Sequence, residues 1–497
     1  MVNKLKIELN GVVIDVSVSE QLTVLEFLRA RGLTGTKEGC ASGDCGACTV
    51  LLQDEPGDSA FWSVNSCITP VLQLAGKRLI TVEGLAAGAN LHPVQQQMIV
   101  NHGSQCGYCT PGFIMSLAGW SENRIRRQAD RLTDAENNLR AEVVEAISGN
   151  LCRCTGYQPI IAAGIAAALA MDAENDSPLS KLQGELEAGS HPEVELPGPV
   201  IADEAKNETP LMLCPKNLSE LDANLLQWPQ ARICAGGTDL LLERTQQGQA
   251  LECLVSTLDV VDMRRCSISA DTLVIGAAAS FAQIEQFCQE IWPDLGALLD
   301  RFGSPQIRHR GTLGGNLATA SPIGDMSPVL MSMNAIIIVR SRQGVERNIA
   351  VGDFFSGYRS TELSEGEYIR AISIGLDEFN GFRRYFKSSK RVMDDISTVM
   401  GAFYIDAEQA QVRQARIAYG GLAATPIRVN SVENYLKGKA LSEISIQRAV
   451  TLLKAAIHPL SDVRASAAYR SEIAANMLDR ALREQSGEII PAITAAV

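Results

Sequence analysis

Thirteen cysteines stand in the 497-residue chain, and eight of them fall into two sets spaced like metal ligands. The first set lies in Gly39-Cys40-Ala41-Ser42-Gly43-Asp44-Cys45-Gly46-Ala47-Cys48, with Cys67 following further on. C-x4-C-x2-C with a distant fourth cysteine is the plant-type pattern of [2Fe–2S] ligation. Three thiolates must converge from one loop, and backbone N–H groups must point at the sulfurs. Gly39, Gly43 and Gly46 permit the dihedrals and close approach this needs. The second set is Cys106 and Cys109 in Gln105-Cys106-Gly107-Tyr108-Cys109-Thr110-Pro111-Gly112, then Cys152 and Cys154 in Gly149-Asn150-Leu151-Cys152-Arg153-Cys154-Thr155-Gly156-Tyr157. A helical pattern follows each half. One covers 113–120 behind Thr110 and Pro111 as N-cap and first turn, and the other covers 159–171. Two helix N-termini would thus face four thiolates, whose negative charge their dipoles stabilise. Both sets point to one-electron transfer. Structural zinc is the alternative for each, and it stands closer for the second set, where C-x2-C with C-x-C is the less specific spacing.

The elements that must position these cysteines can be read around them. Leu5, Ile7 and Leu9 alternate with polar residues, Asn10-Gly11 is a strong hairpin turn, and the chain returns from Val12 to Val18. Thr23 caps a helix carrying Val24, Leu25, Phe27 and Leu28, and a strand over 49–52 leaves the cysteine loop. Residues 172–208, rich in Glu, Pro and Gly, read as an exposed linker. Beyond it, 231–235 reads as a buried strand running into Gly236-Gly237-Thr238-Asp239 and a helix over 240–247, a layout that can cradle phosphate. A second glycine loop, Arg310-Gly311-Thr312-Leu313-Gly314-Gly315-Asn316, precedes Ala320-Ser321-Pro322-Ile323-Gly324-Asp325. No G-x-G occurs anywhere, so the Rossmann fingerprint is absent. Strands over 383–386, 399–405 and 412–419 are followed by two closing helices. In the second of these, Ile473, Met477, Leu478, Ala481 and Leu482 form a core stripe.

Composition bounds the partners. The net charge is −13, from 44 basic and 57 acidic residues, which argues against nucleic acid or an anionic membrane surface. The N-terminal residues show no apolar signal region, and the longest nearly apolar run, 159–171, is too short to span a bilayer. An odd cysteine count without a secretion signal favours metal ligation in a reducing cytoplasm over a disulfide framework.

Six motifs, GCASGDCGACTV, QCGYCTPG, GNLCRCTGYQPI, AGGTDL, GTLGGN and ASPIGD, occur in this order over nearly the whole chain. With them the sequence resembles the small, iron–sulfur/flavin subunits of bacterial xanthine dehydrogenases, in the molybdenum hydroxylase family. The resemblance implies a multidomain α+β fold. A β-grasp [2Fe–2S] ferredoxin domain would cover 1–82 and a helical [2Fe–2S] domain 83–171. After the linker, a two-lobed α/β FAD domain of the vanillyl-alcohol-oxidase type would cover 209–380 and a C-terminal α+β flavoprotein domain 381–497. Cys40, Cys45, Cys48 and Cys67 would hold the first cluster, and Cys106, Cys109, Cys152 and Cys154 the second.

By the same resemblance, Ile233, Cys234, Ala235, Gly236, Gly237, Thr238, Asp239 and Leu240 would carry the FAD pyrophosphate. Thr312, Gly315 and Asn316 would hold the cofactor, and Asp325 would bond its ribityl or phosphate end. Phe302 would lie by the ring and adenine, Ile369 on the isoalloxazine, and Lys387 and Asp394 beside the ring. Taken alone, Phe302 and Ile369 read as core residues and Lys387 as a solvated lysine. His309, between two arginines, reads as positioning the glycine loop or as solvated. The 42 residues between Cys109 and Cys152 exceed the family's usual gap, and the excess falls in the charged stretch 122–142, as helices or a loop.

No segment offers a pocket for a purine or for molybdenum, so no residue of this chain is expected to catalyse hydroxylation. The resemblance implies a molybdopterin-binding large subunit, two large with two small, and would set Gln105 and Cys154 near its pterin. Electrons would pass through both clusters to FAD and on to NAD+, in the oxidation of hypoxanthine and xanthine to urate during purine catabolism. The alternatives are the same subunit in an aldehyde or N-heterocycle hydroxylase, or a non-enzymatic zinc-binding scaffold.

Overall fold

Asn10 and Gly11 turn the chain with φ of 49° and 83°, the left-handed pair of a type I′ hairpin. They join β1 (Asn3–Leu9) to β2 (Val12–Val18) in antiparallel register. This computed structural model describes residues 3–18, 21–54, 60–86, 88, 90–127, 136–174, 177–179, 212–408 and 411–491. Apart from 172–174 and 177–179, the linker expected over 172–208 lies outside these residues, as does 128–135 in the charged stretch. The chain divides into two compact units. One comprises 1–214, 230–256 and 304–310, and the other 215–229, 257–303 and 311–497.

In the first unit, α1 (Val24–Ala30) opens on a reciprocal capping box between Thr23 and Glu26, as the sequence led one to expect. It buries Phe27 and Leu28 fully, each worth about 1.5–3 kcal/mol. β3 (Thr49–Gln53), β4 (Trp62–Asn65) and β5 (Arg78–Ile80) complete a mixed sheet of order β2-β1-β5-β3-β4, in which β1 and β5 run parallel. One helix sharing its core with such a sheet is the β-grasp arrangement.

The helical part has α2 (Pro93–Val100), α3 (Thr110–Arg127), α4 (Glu136–Ala146) and α5 (Gln158–Glu174). The apolar run 159–171 is inner helix. A Cβ added at Gly164 would lie 2.9 Å from both Leu117 and Val143, so only a bare backbone lets α5 approach α3 and α4 this closely. α3 begins one residue earlier than expected. The Cys109 carbonyl accepts from Phe113 N–H at 3.2 Å, so Cys109 takes the place expected for Thr110. Among the described residues no helix is long and apolar enough to cross a membrane.

The same unit carries a three-stranded parallel sheet of β6 (Met212–Leu213), β7 (Arg232–Cys234) and β8 (Leu254–Ser256), ordered β6-β8-β7. The strand expected as buried over 231–235 is an edge strand. Among the described residues it pairs only with β8, and Arg232 and Ile233 are exposed while Cys234 is buried. The helix after its glycine turn, α6 (Leu240–Thr245), is two residues shorter than expected.

The second unit holds an antiparallel sheet of β9 (Cys266–Ser269), β10 (Thr272–Gly276), β11 (Ile336–Ser341), β12 (Glu346–Ala350) and β13 (Glu367–Gly375), ordered β12-β11-β13-β10-β9. A second sheet, β14 (Phe382–Ser388), β15 (Val399–Glu408), β16 (Gln411–Gly420) and β17 (Ile427–Arg428), follows in chain order and covers the three strands expected there. Helices Glu443–Ala456 and Ala467–Gln485 close the described chain behind a short helix, Asn430–Leu436, that the sequence reading missed. Leu478, Ala481 and Leu482 pack with Phe403 and Ile417 in one core, so the predicted stripe is buried. The whole is a multidomain mixed α/β protein.

Candidate cluster and flavin sites

The loop between α1 and β3 supplies Cys40, Cys45 and Cys48, the 3-10 turn Ser66–Ile68 after β4 supplies Cys67, and the four sulfurs come together as two pairs. The Cys40 and Cys45 thiols share a hydrogen bond, and so do those of Cys48 and Cys67. Within each pair one thiol falls and its partner rises. The Cys45 thiol holds Cys40 down to about 4, and Cys45 is pushed up in return. Cys48 is likewise lowered by the Cys67 hydrogen bond, while that bond and burial raise Cys67. Backbone N–H groups aim at the sulfurs, Cys40 N–H at Cys45 Sγ and Ser42 N–H at Cys40 Sγ, both at 3.4 Å. A Cβ on Gly39 would come within 2.6 Å of Cys45 Sγ, so this cradle requires glycine. Gly46, at φ 63°, turns the loop where Gly149 O would meet any Cβ at 2.3 Å.

The second set gathers from the start of α3 and the approach to α5. Cys154 Sγ lies 3.6 Å from Cys106 Sγ and 3.7 Å from Cys152 Sγ, and Cys109 hydrogen-bonds to Cys152. Burial, then the Cys152 bond, pushes Cys109 up to about 12. Burial also acts to raise Cys152, but the hydroxyl and N–H of Thr155 outweigh it and bring it down to about 7. Cys106, Cys154 and Gln105 are exposed, and Cys152 is buried.

None of the thirteen cysteines forms a disulfide among the described residues. Among the described residues, no group of three or more His, Cys, Asp or Glu side chains is closed tightly enough to hold a metal ion as it stands. A [2Fe–2S] cluster takes two thiolates on each iron. The two sulfur pairs of the first set, with N–H donors aimed at them, fit that demand, and the second set links its four sulfurs in the order Cys106, Cys154, Cys152, Cys109.

In the first unit the stretch Ile233 to Leu240 runs from the end of edge strand β7 through the glycine turn into α6. Gly236 and Gly237 are buried, Gly237 has φ 79°, and its carbonyl opens α6 by accepting from Leu241 N–H at 3.0 Å. The side chain of Gln73 reaches this loop from the β-grasp domain, donating to Ala235 O at 2.8 Å.

In the second unit Thr312 caps the helix Leu313–Ala318 through Gly315 N–H at 3.1 Å. The buried carboxamide oxygen of Asn316, on the same helix, has no hydrogen-bond partner, an orphan acceptor in a position expected to hold FAD. Lys387 and Asp325 are brought together as a buried ion pair at 2.7 Å, and Asp325 also accepts from the Ser397 hydroxyl. Lys387 is therefore neither solvated nor free. Phe302 packs on Phe281 with ring centres 4.4 Å apart, and Ile369 is buried on β13. Asp394 adopts φ 47°, its carbonyl taking the Arg391 guanidinium at 2.6 Å.

His309 does neither of the things expected of it. Its Nδ1 lies 2.8 Å from Ser63 O, and its ring meets Trp62 edge-on at 4.9 Å, so it belongs to the β-grasp sheet. Sequence reasoning passed over Gln73 and Gln306, and gave Asn150 no role although it stands in a quoted motif. Asn150 Nδ2 donates to Gly46 O at 3.0 Å, and its Oδ1 accepts from Ser116 and Gln306. No local signal marks these residues, because their partners lie 34 to 257 positions away.

Family models match along the chain in order. A 2Fe-2S iron-sulfur cluster binding domain covers 7–72, and a [2Fe-2S] binding domain covers 81–164. An FAD binding domain in molybdopterin dehydrogenase covers 205–376, and a CO dehydrogenase flavoprotein C-terminal domain covers 384–485. Xanthine dehydrogenase of Emericella nidulans is 32% identical, over 88% of this chain and 35% of that protein. Xanthine dehydrogenase 1 of Arabidopsis thaliana is 29% identical over 87% and 36%, and aldehyde oxidase 2 of Mus musculus 28% over 88% and 35%. The chain thus spans about a third of the length of these relatives. Among solved structures, Cu,Mo-CO dehydrogenase is 27% identical with a TM-score of 0.52, covering 56% of this chain and 97% of that one. Quinoline 2-oxidoreductase from Pseudomonas putida 86 is 26% identical at the same TM-score, covering 56% and 99%. With these four domains in this order, the chain belongs to the molybdenum hydroxylase family as one of its iron–sulfur/flavin chains.

Proposed function

We propose that the chain is the electron-transfer subunit of a xanthine dehydrogenase, serving the oxidation of hypoxanthine and xanthine in the cytoplasm with NAD+ as acceptor. The observation that carries this reading is that two four-sulfur sets lie in one unit and are joined directly. Leu151 N–H, beside Cys152, donates to Cys45 O at 2.9 Å. Cys40, Cys45, Cys48 and Cys67 would hold one [2Fe–2S] cluster, and Cys106, Cys109, Cys152 and Cys154 the other. When bound, the clusters supply single-electron transfer, and FAD supplies exchange between single electrons and the electron pair that NAD+ takes.

The chain's own groups prepare for that charge. The N–H groups of Cys40, Ser42 and Thr155 donate to sulfur and stabilise thiolate. For flavin, the Asn316 oxygen offers an unused acceptor, and the Lys387–Asp325 pair is a fixed dipole that costs no reorganisation. The exposed edge at Gln105, Cys106 and Cys154 is where a molybdopterin-binding large subunit would dock, in an assembly of two small and two large subunits. The domain boundaries read from the sequence, 1–82, 83–171, 209–380 and 381–497, belong to the same proposal.

A second reading, the same chain in an aldehyde or N-heterocycle hydroxylase, is favoured by the likeness to aldehyde oxidase 2 and quinoline 2-oxidoreductase. The test is NAD+ reduction by the complex that co-purifies with the tagged chain, offered xanthine, hypoxanthine, aldehydes and N-heterocycles. Xanthine-dependent NADH supports the first reading, and NADH with another substrate alone supports the second. A chain that brings down no molybdenum subunit defeats both.

A further inference from the structure

Six residues after the ligand Cys67, Gln73 sits on the 3-10 turn Val71–Leu74 and is 3% exposed. Its carboxamide is fully committed. Nε2 donates to Ala235 O at 2.8 Å and to Ser256 Oγ at 3.2 Å, with Cys234 Sγ at 3.6 Å, and Oε1 accepts from the Arg310 guanidinium. Ser256 and Cys234 end the strands β8 and β7, so one amide gathers the ends of both strands at the point where the glycine turn leaves the sheet. The turn also rests on the β-grasp domain directly. A Cβ on Gly237 would lie 3.2 Å from the carbonyl of Ile68, the residue after Cys67, and 3.6 Å from Pro70.

The turn cannot set its own shape. β7 is three residues long and, among the described residues, pairs on one side only. A peptide unit is planar and trans, so its C=O and N–H point in opposite directions. Drawing the Ala235 carbonyl onto Gln73 therefore aims the Gly236 N–H the other way, out of the turn. Successive N–H groups turned outward from a glycine loop form an anion-binding concavity.

The geometry points to Gln73 as a positioning residue for flavin: a latch by which the β-grasp domain holds the Ala235–Gly237 turn in the form that receives the FAD pyrophosphate. This rests on the flavin reading above and adds a dependence that it does not contain. Flavin retention would be set by a residue of the iron–sulfur domain that touches neither cofactor.

The experiment titrates FAD into the flavin-stripped full-length chain and measures iron and sulfide in the same preparations. Gln73→Leu removes the amide, and Gln73→Glu turns a carboxylate oxygen towards Ala235 O. Both are expected to weaken FAD about tenfold, as losing one buried hydrogen bond does, with iron and sulfide unchanged. Parental FAD affinity with full iron in both variants overturns the latch. Should Gln73→Leu lose iron, Gln73→Asn, with its amide one methylene short, decides. Weaker FAD with full iron supports the latch, and parental affinity overturns it. Iron loss in every Gln73 variant also overturns it, since Gln73 would then hold the cluster domain and not the turn. A parent chain that binds no FAD defeats the flavin reading itself, a distinct result.

Discussion

The backbone N–H of Leu151 donates to the carbonyl oxygen of Cys45 at 2.9 Å. Cys45 belongs to the first sulfur set, and Leu151 is bonded directly to Cys152 of the second. One hydrogen bond and one peptide unit therefore connect the two loops. The seam is buried and polar on both flanks. Asn150 spans it to Gly46 O, and Gln306 Nε2 closes it against Ser116 and Thr49. A buried hydrogen-bond network rigidifies what it joins, and although the Gln306 Oε1 has no partner here, the bonds through Asn150 and Gln306 Nε2 build the spacing of the two sulfur sets into one piece of protein.

Gly112 is where that seam is tightest. It lies in the first turn of α3, and a Cβ there would sit 2.2 Å from Gly46 O. Alanine in a helix ordinarily gains about 1 kcal/mol over glycine. Here the clash is with backbone that cannot swing away, so it prevails. Gly112→Ala is expected to lower the thermal midpoint and the iron content together. A raised midpoint with full iron would show that the loops are not in contact at this point.

Cys45→Ser separates the two sulfur sets. A hydroxyl replaces one of the Cys40–Cys45 pair, while the backbone carbonyl that Leu151 uses is untouched. The expected outcome is loss of about half the iron, with one reduced-cluster signal surviving in electron paramagnetic resonance and flavin content retained. Survival of both signals would remove Cys45 from the ligand set.

Much of this was legible in the chain, and the reason is local chemistry. The two gathered cysteine sets, the Asn10-Gly11 turn and the Thr23 cap each rest on motifs of residues a few positions apart. What escaped was long-range. Gln73 gains its role from Ala235 and Arg310, and Asn150 from Gly46 and Ser116, and no short pattern encodes such pairs. His309 was misjudged for the same reason, since its partners Ser63 and Trp62 are more than two hundred residues away. Strand β7 read as buried from its composition, but its edge position depends on sheet order.

The pair of Lys387 and Asp325 is buried to 3% and 6% side-chain exposure. Such a pair contributes little against a well-packed apolar substitute, yet removing one partner strands a charge. Lys387→Met is therefore expected to cost about 3–5 kcal/mol in denaturant unfolding, because Asp325 loses its paired cation and keeps only the Ser397 hydrogen bond and the charge of Arg301. Adding Asp325→Asn should return most of that loss. If the double variant is no more stable than the single one, the cost lies in packing and not in the stranded carboxylate.

Glu367, at the head of β13, shows how acid should act on the second unit. The Arg347 guanidinium grips its carboxylate at 2.7 and 2.8 Å, and Ser364 N–H adds a bond at 2.7 Å. These bonds, Arg347 first, outweigh burial and hold the carboxyl at about 2 against an ordinary 4.5. The folded value is depressed, so the stabilisation is complete above pH 4.5 and drains away as pH falls from there towards 2. Arg347 is 43% exposed, so solvent screens the attraction and the Coulombic share is about 1 kcal/mol or less. Glu367→Gln keeps an acceptor and removes the charge. Its thermal midpoint should lie below the parent's at neutral pH, and the gap should narrow only below pH 4.5. A gap that stays constant down to pH 3 would mean that the lost hydrogen-bond geometry, and not the charge, was what Glu367 supplied.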